Sequence, residues 1–106
     1  MSEIKTISRV LGQAADGSLW FFCNGCDLPH SLNVGTGPGP SWGYNGNAEA
    51  PTFTPSVLSR YGMHGKDVVC HSFVTDGRIQ YLDDCTHALA GQTVDLPNWE
   101  ESWANW

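Results

Sequence analysis

The amino-acid sequence predicts a mainly β fold: a small antiparallel sheet with a zinc-knuckle-like metal site and a short C-terminal helix. Three observations support this prediction. Short runs of β-branched and aromatic residues are separated by turns that contain glycine. No stretch resembles the long helices of a helical bundle. Four cysteines occur in a chain of 106 residues, two of them in a Cys-x-x-Cys pair.

Length and charge limit the domain organisation and the class of partner. We expect one β-rich metal-binding domain over residues 1–97, followed by a tryptophan-rich helical tail over residues 98–106. The net charge is −6 and no basic cluster is present, so nucleic-acid binding is not expected. Without a targeting pattern or a membrane-spanning run, the sequence predicts a soluble cytosolic protein, where cysteines bind metal more often than they form disulfides.

The N-terminal part leads into a pair of metal ligands. Its elements are predicted as an edge strand, a turn and an apolar strand, over residues 3–11, 12–18 and 19–22. Cys23 and Cys26 follow as a knuckle in which Gly25 allows a tight backbone, and zinc is the expected ion because thiolates are soft ligands. His30 is interpreted as a donor beside the ligands or a loop residue, with a ligand role as the alternative.

The middle of the chain predicts turns and a proline-limited strand. Residues 34–41 form a Gly/Pro loop, and residues 42–47 fit a β-hairpin with an Asn-Gly turn. Pro51 and Pro55 cannot donate backbone hydrogen bonds. Residues 51–61 are therefore expected at a sheet edge or in extended structure outside the ladder.

The central element is a hairpin over residues 68–87 that turns at Asp76-Gly77. A two-residue turn places Cys70 on the same face as Cys85, whereas a three-residue turn with a bulge places His71 there instead. The sequence leaves this choice open.

A helical turn and a closing strand are expected after the hairpin. Thr86 is the candidate N-cap of the helical turn, Gly91 ends it, and residues 92–96 form the strand. His87 lies two residues beyond Cys85, so it can replace a thiolate as ligand or act as an acid–base group beside the metal.

The C-terminus carries a tryptophan stripe. Asn98 is the expected cap of a short helix, which places Trp99, Trp103 and Trp106 on one helical face. Such a stripe usually packs onto its own domain. The alternative is that it docks onto a protein partner, because tryptophan dominates interface energetics.

Four motifs together resemble a family of small bacteriophage and prophage proteins of unknown function, some of which carry the label ammonia monooxygenase. They occupy residues 23–26, 42–47, 51–56 and 70–96. The resemblance implies a phage or prophage origin, with location in the bacterial cytoplasm or the virion. It also implies zinc binding through Cys23, Cys26, Cys70 or His71, and Cys85 or His87. An oxygenase is not expected, because the chain offers neither a membrane span nor a His/carboxylate cluster.

Two functions follow from these residues. In the first, Cys23, Cys26, Cys70 and Cys85 close a structural zinc site and the protein acts by binding a virion or host protein. In the second, zinc keeps an open position near His71, His87 and Asp84 and activates water for hydrolysis. We expect the first, because the sequence contains no metallohydrolase or deaminase signature.

Overall fold

The computed structural model describes residues 4–26, 28–34, 41–63 and 65–104, with the side chains of Met63, Trp103 and Ala104 excepted. The chain forms two antiparallel sheets and a short C-terminal helix. The predicted mainly β fold is therefore confirmed, and its strands divide between two sheets. The described helix is too short to cross a membrane.

The first sheet is built around a wholly apolar strand. Its four strands lie in sequence order: β1 (Lys5–Thr6), β2 (Gly12–Gln13), β3 (Leu19–Cys23) and β4 (Leu28–Leu32). Strand β3 was predicted, and Phe21, Phe22 and Cys23 at its end are all buried. The predicted N-terminal edge strand is present but is only two residues long.

Strand β4 was not predicted, because the sequence there was interpreted as a loop. Pro29 lies in this strand and pairs with Phe22. β4 is the last strand of its sheet, so the missing N–H of proline costs no ladder hydrogen bond on its open side. His30 is thus held in a strand, not in a loop.

The second sheet has five strands, again in sequence order. They are β5 (Gly43–Tyr44), β6 (Phe53–Met63), β7 (Lys66–Thr75), β8 (Arg78–Tyr81) and β9 (Thr93–Asp95), of which β9 is the predicted closing strand. The predicted 42–47 hairpin is wrong, because Tyr44 pairs with Phe53 and a longer loop that contains Gly46 joins β5 to β6.

Strand β6 matches only part of the prediction that residues 51–61 lie at a sheet edge or outside the ladder. It pairs along its length with β7, but β5 covers it only at Phe53 and Thr54. Its register to β7 shifts between Phe53 and Val57, and Pro55 lies inside this irregular segment. The proline is accommodated by a break in the ladder.

The β7–β8 hairpin takes the two-residue turn. Thr75 pairs with Arg78 around Asp76 and Gly77, whose φ angles are 51° and 78°. Both turn residues therefore have the left-handed conformation of a type I′ turn. The second strand ends at Tyr81, so the ladder does not continue to the residues before Cys85.

The segment after β8 folds back over β7 as turns. The predicted helical turn at 86–91 is wrong, although Gly91 does take a positive φ of 79°. The Thr86 hydroxyl does not cap a helix; it accepts the N–H of Val69 at 3.0 Å. Backbone bonds from Leu82 to His71 and from Thr86 to Val69 hold the segment in place.

The two sheets share one core, because successive residues of a strand point to opposite faces. Cys70, Ser72 and Val74 of β7 are buried toward the first sheet. The rings of Phe21 and Phe53, one from each sheet, stack with centroids 6.5 Å apart. His71 and Phe73 consequently lie on the outer face of the second sheet.

The C-terminal helix α1 (Trp99–Ala104) begins as predicted, since Asn98 Oδ1 accepts the N–H of Glu101 at 2.9 Å. Trp99 is 1 % exposed, and a methyl group added at Gly12 would lie 2.7 Å from its indole ring. Trp99 is therefore part of the core. The side chain of Trp103 and all of Trp106 lie outside the described residues, so a docking surface there stays a prediction.

Candidate active site and metal cluster

Three elements bring four soft or borderline donors together. Cys23 ends β3 and Cys26 lies in the turn that follows, while His30 comes from β4 and Cys70 from β7. Their donor atoms all lie within 4.8 Å of one another. The Sγ atoms of Cys23 and Cys70 are 3.7 Å apart. Two thiolates on one tetrahedral zinc would be about 3.8 Å apart for Zn–S bonds of about 2.3 Å. The cluster is therefore compatible with metal binding.

His30 is the donor that the sequence placed least securely. It is buried, and its Nε2 has no hydrogen-bond partner among the described residues. Burial lowers the pKa of His30, but the neighbouring Cys23 and Cys26 sulfurs more than offset this and raise it to about 9. A buried nitrogen without a partner beside sulfur atoms has the chemistry of an unmet ligand.

The cysteines of this group are electrostatically linked. Hydrogen bonds from Cys26 and then Cys70 lower the pKa of Cys23. Hydrogen bonds to Cys23, and after it to Cys26, in turn raise the pKa of Cys70. Adjacent buried sulfurs cannot all ionise unless a cation compensates their charge, so a full set of thiolates at this position calls for a metal ion.

Cys85 and His87 belong to a second group that shares Cys70. His87 Nε2 lies 3.4 Å from Cys70 Sγ, whereas Cys85 Sγ lies 3.2 Å from the backbone nitrogen of His71. The structure therefore groups three of the four predicted cysteine ligands with His30. The fourth, Cys85, belongs to the separate group with Cys70 and His87.

Gly25 has a different role from the one expected. It does not take a positive φ, so a tight backbone is not what requires glycine. A methyl group here would overlap the ring of His87. The knuckle thus needs glycine because the imidazole packs against its backbone.

A hydrogen-bonded Ser–His–Asp set lies on the outer face of the second sheet. Ser56 Oγ is 2.9 Å from His71 Nε2, and Asp84 Oδ2 is 3.0 Å from His71 Nδ1. One imidazole thus contacts a hydroxyl through one nitrogen and a carboxylate through the other. This is the arrangement of a nucleophile, a general base and an orienting acid in serine hydrolases.

The three members of this triad are positioned by three different features of the second sheet. Ser56 lies where β6 shifts register, and His71 points outward from β7. Asp84 lies in the turn after β8, which is held by the bond from Leu82 N–H to the His71 carbonyl. The side chain of His71 is 25 % exposed and that of Asp84 57 %, so the set is open to a substrate.

Sequence reasoning named two of these three residues but gave them other roles. Asp84 was considered an acid–base group beside a metal, and His71 an alternative ligand. Asp84 instead bonds His71, while His87 faces Cys70. Ser56 was missed, because it is 15 residues from His71 in the chain and no local motif accompanies it.

Comparison with protein families decides the assignment. Residues 2–82, about three quarters of the chain, match the family model described as bacterial ubiquitination-like system serine protease (BubE). The chain belongs to the BubE family. No curated protein and no solved structure matches it significantly.

Membership of the BubE family corrects the predicted family and the predicted function. The resemblance to phage and prophage proteins of unknown function is wrong as an assignment, because the matching family is a bacterial serine protease family. The two predicted functions, a protein-binding zinc module and a zinc-dependent hydrolase, are wrong for the same reason. The family description calls for a serine nucleophile, which neither prediction included.

Proposed function

We propose that this protein is a serine protease in which Ser56 is the nucleophile, His71 the general base and Asp84 the residue that orients the base. The observation that carries the proposal is the imidazole of His71, whose two nitrogens bond Ser56 Oγ at 2.9 Å and Asp84 Oδ2 at 3.0 Å. The serine protease description of the BubE family supports it independently.

The proposed reaction follows the geometry. Ser56 Oγ attacks the carbonyl carbon of the scissile amide while His71 Nε2 takes the hydroxyl proton. Asp84 holds the Nδ1–H tautomer and stabilises the imidazolium. His71 then passes the proton to the leaving amine, which departs and leaves an ester on Ser56. Water hydrolyses this ester by the same proton transfers, which regenerates the serine.

The proposed substrate is a protein of a bacterial ubiquitination-like system, in keeping with the printed description of the family. The open position of the triad on a sheet face supports a polypeptide substrate. The net charge of −6 argues against nucleic acid as a partner. We keep the cytoplasm as the proposed location.

Labelling with diisopropyl fluorophosphate tests the nucleophile. The Ser56 oxygen displaces fluoride from phosphorus, His71 takes the proton, and intact-mass and peptide mass spectrometry locate the adduct. We expect one adduct, at Ser56, and none in the Ser56→Ala variant. Ser31→Ala is the matched control, because Ser31 is an exposed serine of β4 in the first sheet, whereas the triad lies on the outer face of the second sheet. An adduct that persists in Ser56→Ala would refute the proposal.

We propose further that zinc occupies the cluster of Cys23, Cys26, His30 and Cys70. The cysteine-rich donor set and the 3.7 Å sulfur separation support this ion. Four protein ligands leave no open position for water. The ion would instead tie the first sheet to β7 and so support the strand that carries His71.

Metal analysis of purified variants tests the zinc site. We expect one zinc per chain, lost in Cys23→Ser together with much of the folding stability, because metal-binding free energy is folding free energy in small domains. Cys85→Ser is the matched control, since Cys85 lies outside this four-residue group, and it should keep the metal. Loss of zinc from Cys85→Ser with retention in a His30→Ala variant would refute the ligand set.

A further inference from the structure

Exposed apolar side chains flank the catalytic imidazole. Leu58 pairs directly with His71 across β6 and β7 and is 54 % exposed. Phe73 follows His71 on the same face of β7 and is 42 % exposed. Only one other large hydrophobic residue, Ile7, is exposed among the described residues. Of the exposed large hydrophobic side chains that the structure describes, two therefore lie next to His71 on the face that a substrate would approach.

A cavity of about 250 Å³ begins at Phe73 and runs away from the triad along the same sheet face. It is lined by Phe73, Thr75, Asp76, Arg78, Gln80 and Thr93. Phe73 and Thr75 pair with Gln80 and Arg78, so the cavity floor is the outer face of β7 and β8. Residues two apart on a strand are about 6.6 Å apart, so Phe73, at one end of the cavity, is the neighbour of His71 on this face.

The cavity favours an uncharged side chain. Its cation, Arg78, is paired with Asp95 at 3.2 Å, and Asp76 contacts the Thr52 hydroxyl. Arg78 and Asp76 also carry opposite charges, so the lining has no net charge for a charged side chain to neutralise. The ring of Phe73 supplies the apolar contact. The volume is below the roughly 300–1,000 Å³ of pockets for drug-sized ligands, and suits one large side chain.

We propose that the substrate is a peptide segment with a large apolar side chain next to the scissile bond, and that the Phe73 cavity receives this side chain. Leu58 contacts the substrate on the other side of His71. This inference rests on the proposed serine protease function, because continuity with the triad identifies the occupant as substrate. Phe73 and Leu58 are accordingly specificity-determining residues of that protease.

Cleavage of a mixed synthetic peptide library by the full chain tests the inference, with cleavage sites read by mass spectrometry. We expect leucine, isoleucine, methionine and phenylalanine to be enriched at one position beside the cleaved bond. Replacing that residue with glycine should lower kcat/KM by about tenfold or more, because even one missing methylene in an apolar pocket costs about 10-fold. Enrichment of charged residues there, with no apolar preference, would overturn the inference.

A variant pair separates recognition from chemistry. Phe73→Ala should lower one ratio by about tenfold: the rate of apolar-peptide cleavage divided by the rate of labelling by diisopropyl fluorophosphate. Ile7→Ala is the matched control, an exposed hydrophobic residue outside the second sheet, and it should leave the ratio unchanged. An unchanged ratio in Phe73→Ala, or labelling of Ser56 without cleavage of any apolar peptide, overturns this inference and leaves the proposed nucleophile intact. Absence of both labelling and cleavage refutes the proposed function itself.

Discussion

Replacing Asp84 with asparagine removes the negative charge that faces His71 while keeping the size of the side chain. The lost interaction is a hydrogen bond of 3.0 Å to a ring nitrogen that becomes cationic during the reaction. A hydrogen bond to a charged group contributes about 1.5–3 kcal/mol. Asp84 is 57 % exposed, so solvent screening reduces this to about 1–2 kcal/mol. Since about 1.4 kcal/mol is tenfold in rate, we expect Asp84→Asn to slow acylation by about 5- to 30-fold.

This expected loss is far smaller than the roughly 10⁴-fold loss known for a buried triad aspartate. The large loss arises because asparagine holds a buried imidazole in the wrong tautomer, and an exposed pair such as His71 and Asp84 imposes the tautomer less strictly. The size of the rate loss in Asp84→Asn therefore reports how exposed Asp84 is beside His71.

The assay is the pseudo-first-order rate of Ser56 modification by diisopropyl fluorophosphate at neutral pH, measured by mass spectrometry. Asp83→Asn is the matched control, because Asp83 carries the same charge one residue away and is not the carboxylate bonded to His71. It should change the rate by less than about twofold. Equal rates for Asp84→Asn and the wild type, or equal losses in the two variants, would refute the role assigned to Asp84.

Three further predictions concern stability. Gly12→Ala places a methyl group 2.7 Å from the Trp99 ring and should lower the free energy of unfolding by about 1–3 kcal/mol in denaturant titrations. The methyl group of Gly25→Ala would overlap the ring of His87, so this variant should have a lower melting temperature. Gly62→Ala is the control, because its added carbon has no neighbour within 4 Å and should leave the melting temperature unchanged. Equal melting temperatures in the two variants would contradict the packing of His87 against Gly25. Removal of metal by a chelator should lower both the melting temperature and the labelling rate of Ser56, and a stable, fully reactive apoprotein would remove the proposed link between cluster and triad.

Local signals were the part of the fold that sequence could predict. The Asp76-Gly77 turn, the apolar run before Cys23 and the Asn98 cap each depend on residues close together in the chain, and each is present. The failures depend on distant partners. The Thr86 hydroxyl bonds the edge of β7 rather than its own helix, and this competition is invisible until the hairpin has folded.

The triad could not be predicted for the same reason. Its bonds join residues 15 and 13 positions apart, through a register shift in β6 and a turn after β8. Cysteines on either side of His71 in sequence suggested metal as the partner of the imidazole. Alternation along β7 decides otherwise, because Cys70 points into the core and His71 points away from it.

Because of that alternation, the pairing register of β7 is fixed by the residues on both of its faces. Cys70 faces the sulfur cluster and the next residue, His71, faces Ser56, so the two kinds of chemistry are separated by one peptide unit. A shift of one residue in pairing would turn His71 toward the core and Cys70 toward the substrate face, and both sites would be lost together. Insertions or deletions of a single residue within β7 are therefore expected to be far more damaging than most substitutions at its exposed positions.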